Sequence, residues 1–357
     1  THTMSLPTQM KALVQLDNEN QVGVRDHPVP PLEEGEVMVK VDYVALNPTD
    51  WKHVDTRARP GAIIGCDYTG IVVESAASKG REHVKVGQRV AGWVHGGLFE
   101  DRGSFAQYLK VPAECTFVVP DKLKPEEAAT FGVPYFTAFH ALVHSQKHGW
   151  PPQENKGWAL IYGGSTAVGF FSVQLAKLLG YKVVAACSPR NFEVVKSYGA
   201  DEVFDYHNAA ECVSNVRSVS DGGVEVAFDC VSEAESQTIA IQCFNDKKGH
   251  QLNIILEEDK EAAKMRPDVK IVGTLLYTLY GKAFNFGPRN GPDMKLPAIP
   301  EDRKFFEEIC AKTPKYITDF GFRAPPISLR EGLENIPQGF KEMRENTVSG
   351  KRLVYKI

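Results

Sequence analysis

Two short stretches of this chain carry residue types that hold phosphate. The first, Gly163-Gly164-Ser165-Thr166-Ala167-Val168-Gly169, lies between an apolar run at 158–162 and a helix-patterned segment at 170–180. Glycines there let the backbone approach a ligand closely. The free N–H groups and positive end of the following helix then suit a pyrophosphate. A tight strand-to-helix turn needs glycine even with no ligand, so the context decides. A second apolar run at 182–187 closes a β-α-β unit of about 30 residues, the expected length for a dinucleotide fold.

The second stretch selects the nucleotide. An NAD site usually places Asp or Glu about 20 residues after the glycines, on the ribose 2′-hydroxyl. This chain has Cys187-Ser188-Pro189-Arg190-Asn191 there, with no acid. A carboxylate would repel a 2′-phosphate, whereas Arg190 can bind one with paired donors and Ser188 can add another. NADPH is therefore expected over NADH. Ser188 and Asn191 also suit capping of a helix beginning near Phe192, and both roles can hold together.

These motifs need elements to hold them. At 357 residues the chain exceeds the size at which a single core stops growing, so two domains are expected. Residues 11–16 and 22–26 flank Asp17-Asn18-Glu19-Asn20 as a hairpin, and 36–46 reads as a long strand. Short apolar runs follow at 63–65, 70–74, 88–93, 105–111 and 116–119, the spacing of a small, irregular β domain. Helical patterns begin at 125–130 and 135–142, and a polar loop at 145–157 precedes the glycine unit. Beyond it, strands are expected at 202–205, 224–229, 251–256 and 269–277, with helices at 192–198, 209–219 and 233–243. That alternation makes a doubly wound parallel sheet. Residues 281–300, rich in Gly and Pro, read as an ordered surface loop. Helices at 301–312 and 329–345 and a strand at 353–357 complete the chain.

Composition excludes several functions. A net charge of −4 leaves no basic footprint for nucleic acid and no polybasic membrane anchor. No apolar run approaches the ~18 residues that span a bilayer, and no signal peptide is visible, so cytoplasmic residence is expected by default. Thr1-His2-Thr3 before Met4 reads as an expression remnant. The seven cysteines include no C-x-x-C pair, which argues against a disulfide framework and a structural zinc site. His140 and His144 share a helix face at i, i+4, but no third ligand lies near them in sequence.

With these motifs in place, the whole chain resembles the medium-chain dehydrogenase/reductase superfamily. The resemblance implies a GroES-like catalytic domain at 4–133, a Rossmann NADP-binding domain at 134–290, and a return to the catalytic domain at 291–357. Asn47-Pro48-Thr49-Asp50-Trp51-Lys52 sits where zinc alcohol dehydrogenases carry a ligand cysteine, and Gly65-Cys66-Asp67-Tyr68-Thr69-Gly70 occupies the place of their Gly-His-Glu segment. Asn47 is a poor zinc ligand and their four-cysteine lobe is absent, so the likeness is to the zinc-free branch and no metal is expected. Within it, Tyr162-Gly163-Gly164-Ser165-Thr166-Ala167, Ser188-Pro189-Arg190-Asn191-Phe192, Gly199-Ala200-Asp201-Glu202-Val203-Phe204-Asp205-Tyr206 and Ser349-Gly350-Lys351 resemble fungal trans-acting enoyl reductases, which partner polyketide synthases.

That resemblance implies NADPH-dependent reduction of the C=C bond of an α,β-unsaturated carbonyl, on a small-molecule or carrier-bound enoyl substrate. The nicotinamide supplies the hydride, and donors aimed at the developing enolate oxygen dominate the protein's share. The expected catalytic residues are Lys52 and then Thr137; the alternative for Lys52 is an exposed helix-end lysine. Tyr68 is a candidate proton donor or simply a packed aromatic. Thr49, Asp50, Trp51 and Lys52 are implied cofactor contacts. So are Ser165, Thr166, Ala167 and Val168 at the pyrophosphate, Ser188, Arg190 and Asn191 around the 2′-phosphate, and Tyr206 at the adenine. Ile254, Ile255, Val348 and Ser349 would close over the nicotinamide side. Thr137, Ala138, Phe139, Leu142, Tyr277 and Tyr280 would wall the substrate channel. A quinone reductase or a non-catalytic, crystallin-like NADPH-binding protein are the alternatives, and a monomer is expected.

Overall fold

A computed structural model describes residues 6–17, 19–78, 83–154 and 156–357. Residues 1–3, read as an expression remnant, and Asn18 of the expected hairpin turn lie outside the described residues. The chain divides into two compact units. The first holds residues 1–133, 277–348 and 352–357; the second holds 134–276 and 349–351.

In the N-terminal part, β1 (Gln9–Gln15) and β2 (Val22–Pro28) pair as the expected antiparallel hairpin. Then come β3 (Glu36–Ala45), α1 (Pro48–Thr56), β4 (Asp67–Ser75), β5 (Arg89–Trp93), β6 (Tyr108–Pro112), β7 (Thr116–Val118) and α2 (Pro125–Ala128). The run at 63–65 makes only a single bridge, Val14 to Ile63, and is not a strand. β3 is the hub: it pairs with β4 and β6, and β17 (Arg352–Lys356) of the C-terminal return joins it as a third partner. Most of its sequence EVMVKVDYVA is accordingly buried, with Lys40 exposed.

The second unit runs α3 (Val133–Phe139), β8 (Trp158–Tyr162), α4 (Ala167–Leu178), β9 (Lys182–Ala186), α5 (Phe192–Ser197), β10 (Glu202–Phe204), α6 (Ala209–Val219), β11 (Val226–Asp229), α7 (Ala234–Gln242), β12 (Gln251–Ile254), α8 (Lys260–Met265) and β13 (Lys270–Gly273). Its six strands are parallel, in the order β10-β9-β8-β11-β12-β13. This is the doubly wound order in which ligands bind where the first strands diverge, here β8 and its neighbours. Leu160, Val184, Ala227 and Leu252, one from each of four central strands, are fully buried and form its core. Two features depart from the sequence reading. The expected strand at 269–277 stops at Gly273 and gives way to a 3-10 turn at Leu276–Tyr280, and α8 had no apolar stripe long enough to predict it.

The return to the first unit begins at Tyr277, not at residue 291 as expected. The parallel sheet has ended by then, and the Tyr280 hydroxyl is anchored on the Trp93 carbonyl at 2.7 Å. The Gly/Pro-rich segment contains a short hairpin, β14 (Phe284–Asn285) with β15 (Lys295–Leu296). α9 (Pro300–Phe320) runs through Pro314, where a helix end was expected. A buried face of Phe306, Ile309, Cys310, Thr313 and Ile317 keeps it helical beyond the proline. The expected helix at 329–345 is a strand and a helix, β16 (Ile327–Glu331) and α10 (Ile336–Arg344), separated by a turn at Gly332. β16 pairs parallel with β17 (Arg352–Lys356), a long-range partner that periodicity cannot register.

Candidate active site

The second unit holds the phosphate-type turn. Gly163 has φ +78, and a Cβ on Gly169 would meet the Gly163 carbonyl at 2.0 Å, so the first turn of α4 lies directly on the glycine turn. Thr166 caps α4, its hydroxyl accepting from Gly169 N–H at 2.9 Å. Residues 165–168 are half-buried, and a helix start leaves N–H groups without intrahelical acceptors. This is the geometry that receives a pyrophosphate.

β9 leads into Cys187 and then the Ser188–Asn191 segment. Neither Ser188 nor Asn191 caps the following helix through its side chain. The Ser188 hydroxyl instead faces the Tyr206 hydroxyl at 3.3 Å, and Asn191 Nδ2 donates to Ser349 Oγ at 3.2 Å. Arg190 is exposed and forms no ion pair among the described residues. Asp205 follows β10, but its carboxylate is taken by the backbone and ring of His207. The structure thus pairs Ser188 with Tyr206 and Asn191 with Ser349 on either side of Arg190 in the chain.

At the neighbouring strand ends, Asp229 accepts from the N–H groups of Val231 (2.9 Å) and Ser232 (2.8 Å) and from the Ser236 hydroxyl (2.6 Å). Burial raises its carboxyl to about 6. Ser232 Oγ in turn accepts from Ile255 N–H at 2.8 Å, which ties the end of β12 to that of β11. Ile254 is in the core and Ile255 is half-buried beside it. Thr137, Ala138, Phe139 and Leu142 are all buried; Phe139 packs on Tyr135 at 4.9 Å between ring centroids.

The first unit holds the second constellation, built on α1. Lys52 is half-buried in mid-helix with its ammonium 5.7 Å from the Trp51 ring centroid, so it is not a helix-end lysine. Arg344 lies 5.5 Å from the same ring and is bound by both oxygens of Asp55. The Asp50 carboxyl turns inward and accepts from Asn47 N–H at 2.7 Å, while the Asp50 N–H donates back to the Asn47 carbonyl at 3.0 Å. Burial raises it to about 7.

One turn further along α1, His53 Nδ1 lies 2.8 Å from the Thr49 carbonyl and 3.1 Å from its hydroxyl. A carbonyl only accepts, so Nδ1 carries the proton. Burial lowers this histidine to about 4, and it stays neutral. The Thr49 hydroxyl also meets the Tyr277 hydroxyl at 2.6 Å, and Cys66 Sγ lies 3.9 Å from the same oxygen. His95 stacks on Tyr277, with centroids 3.8 Å apart, and Phe284 and Phe286 close round it. The result is an aromatic cluster with a hydroxyl pair inside. Tyr280 meets Trp93 in a T-shaped contact, with its hydroxyl already used. Tyr68, fully buried, donates to Thr116 Oγ1 at 2.8 Å and is a packed aromatic.

Sequence reasoning missed His53 and His95. The i, i+4 spacing of Thr49 and His53 on a helix was a usable signal; nothing local marks His95. It also missed Arg352, whose guanidinium donates to Asp67 Oδ2 (3.0 Å), Asn47 Oδ1 (3.1 Å) and the carbonyls of Leu46 (3.0 Å) and Thr130 (3.2 Å).

A model of the alcohol dehydrogenase GroES-like domain matches residues 33–121, and one described as zinc-binding dehydrogenase matches residues 167–279. The trans-enoyl reductase ACTTS2 of Alternaria alternata is 35% identical over 97% of this chain and 98% of its own length. The trans-enoyl reductase TOXD of Cochliobolus carbonum is 37% identical over 78% and 92%. Among solved structures, mycobacterial Rv1454c complexed with NADPH superposes with a TM-score of 0.75 at 20% identity, covering 98% of this chain and 100% of that one. The fold and the two constellations define an oxidoreductase of the medium-chain dehydrogenase/reductase superfamily. Within it, the chain belongs to the trans-enoyl reductases. Among the described residues, no helix is long and apolar enough to cross a membrane.

Proposed function

We propose that this enzyme uses NADPH to reduce the C=C bond of an enoyl thioester of polyketide type, without zinc. The observation that carries the cofactor choice is the Ser188–Asn191 segment: no acid, an uncommitted Arg190, and side chains that turn to Tyr206 and Ser349 instead of capping a helix. Gly163, Gly164 and residues 165–168 would hold the pyrophosphate, and Tyr206 the adenine. When bound, NADPH would supply the hydride. Thr49, Asp50, Trp51 and Lys52 would line it in the first unit, and Ile254, Ile255, Val348 and Ser349 on the nicotinamide side. Lys52 and Thr137 stand as donors to the enolate oxygen. Phe139, Leu142, Tyr277 and Tyr280 offer apolar wall for an acyl chain. The fungal relatives named as trans-enoyl reductases support the reaction class and a polyketide synthase as partner. A monomer residing in the cytoplasm completes the proposal, and light scattering reads the first of these directly.

The chemistry of the zinc-type positions supports metal independence. Asn47 Oδ1 and Asp67 are both bound by Arg352, and burial beside two carboxyls pushes the Cys66 thiol well up, away from the thiolate a metal requires. NADPH oxidation with crotonyl-CoA, a longer 2-enoyl-CoA, a simple enone and a quinone tests the reading. Turnover on the thioesters, unchanged after dialysis against a chelator, is expected. Loss on chelation would sink the metal-free site, and preference for the quinone would make the chain a quinone reductase.

Arg190→Ala checks the cofactor separately. The substitution should raise KM for NADPH by roughly tenfold to a hundredfold, the worth of a charge-assisted phosphate contact, and leave KM for NADH nearly unchanged. Equal effects on the two cofactors would refute the 2′-phosphate role.

A further inference from the structure

The first unit contains a group of cations that form no ion pair with an acid among the described residues. Arg57 and Arg59 follow α1, and Arg289 lies in the connection between β14 and β15. Arg57 Nε donates to the Phe286 carbonyl at 2.9 Å and its NH1 to Thr56 Oγ1 at 3.1 Å. Arg59 donates to the Arg289 carbonyl at 3.0 Å. Arg289 donates from one nitrogen to the carbonyls of Val54 (3.0 Å) and Ala58 (2.9 Å). Among the described residues none of the three forms an ion pair. Of the acids nearby, Asp55 is committed to Arg344 and Asp293 to Asn285 Nδ2 at 2.7 Å, while the Glu100 side chain packs at Gly61 without an ion pair to these arginines among the described residues.

Capping the end of α1 accounts for one nitrogen of Arg289. It leaves Arg289 Nε buried with no acceptor. A guanidinium offers five donors, and most of those on Arg57 and Arg59 are also unspent. Three like charges tied to one short backbone stretch repel one another, and an anion received among them would relieve that repulsion while filling the empty donors. The cluster is continuous with the aromatic group described above. The Arg57 guanidinium lies 4.3 Å from the Phe286 ring centroid, and that ring lies 5.6 Å from His53 and 5.5 Å from Tyr277. An anion anchor, an aromatic wall and the Thr49–Tyr277 hydroxyl pair therefore follow one another within this unit.

That order matches a ligand with a phosphate at one end, a flexible arm, and a carbonyl at the other. We propose that Arg57, Arg59 and Arg289 bind the phosphate of a phosphopantetheine arm, the group that carries an enoyl thioester on coenzyme A or on an acyl carrier protein. The assignment rests on the thioester reading of the function above.

Crotonyl-CoA and the crotonyl thioester of N-acetylcysteamine share the reacting group, but only the first has a phosphate. The variant Arg57→Gln/Arg59→Gln should lower kcat/KM for crotonyl-CoA by about tenfold or more and leave the N-acetylcysteamine thioester nearly unchanged. Equal loss on both would mean a purely structural role, and no loss on either would also overturn the site. Arg57 supports the hairpin, so Arg59→Gln alone, which gives up a single hydrogen bond, is the second variant. The sources separate in a further arm: crotonyl-loaded acyl carrier protein should suffer the same loss as crotonyl-CoA. A loss confined to crotonyl-CoA would point to its adenosine phosphate and refute the assignment. Calorimetry with 4′-phosphopantetheine against pantetheine needs no turnover. Tighter binding of the phosphorylated form, lost in the variant, supports the site, and equal affinities sink it. A protein that shows this preference yet reduces neither thioester would refute the reductase reading and leave the anion site standing.

Discussion

Arg352→Met is expected to destabilise the first unit by about 3–5 kcal/mol, the cost of leaving one partner of a buried ion pair alone. Arg352 and Asp67 are 4% and 0% exposed, and their closest approach is 3.0 Å. Methionine keeps most of the volume, but it strands the Asp67 carboxylate and removes donors from Asn47 Oδ1 and two backbone carbonyls. The same arginine ties β17 to the start of α1, so the loss falls on the element that presents Thr49 and Lys52. Urea unfolding followed by circular dichroism should show the shift, read on the transition that belongs to this unit. Adding Asp67→Asn should restore part of the loss, because the second change removes the stranded charge. A cost below about 1 kcal/mol for Arg352→Met would mean that Asp67 is solvated some other way, and the account of the zinc-type positions would fall with it.

Asp50→Asn should change the pH dependence of stability, and the sign can be worked out. The folded carboxyl holds its proton up to about pH 7, whereas the ordinary value is 3.8. Between those values the folded state binds the extra proton, so stability falls as pH rises and the loss is complete above about 7. The full span corresponds to roughly 4 kcal/mol. Asparagine still offers an oxygen to Asn47 N–H and carries no charge to desolvate. The variant should therefore match the wild type near pH 4 and exceed it at pH 8. Other groups shape the wild-type curve: Asp229, raised to about 6, bends it the same way, and His53, lowered to about 4, bends it the opposite way. The difference between variant and wild type isolates Asp50. A difference that does not grow across pH 5–7 would place the Asp50 carboxyl in contact with water.

How far the sequence could be read depended on the range of the interactions involved. The β8–α4–β9 unit and the doubly wound parallel sheet were legible because each parallel strand is a short apolar run, and each helix lies between two of them in sequence. The β16–α10 region was not. Leu329 is 52% exposed, and its strand exists because β17 pairs with it, a partner that lies beyond α10. Pro314 misled in a similar way, since its local preference against helix is outweighed by the face that α9 buries. The return at Tyr277 was placed too late because a run rich in apolar residues, 269–277, looks the same whether it ends a sheet or begins a turn.

The same division holds for chemistry. Residue types and spacing alone determined a glycine turn between strand and helix, the absence of an acid after the second strand, and an arginine in its place, because each acts over a few neighbouring residues of backbone. Only the tertiary structure decided that Ser188 and Asn191 turn away from their helix and that Asp50 is buried enough to hold its proton. It alone set Thr49 against Tyr277, 228 positions apart in the chain, and gathered three arginines that form no ion pair among the described residues. Desolvation and charge pairing are properties of what surrounds a side chain, and folding brings those surroundings from distant parts of the sequence.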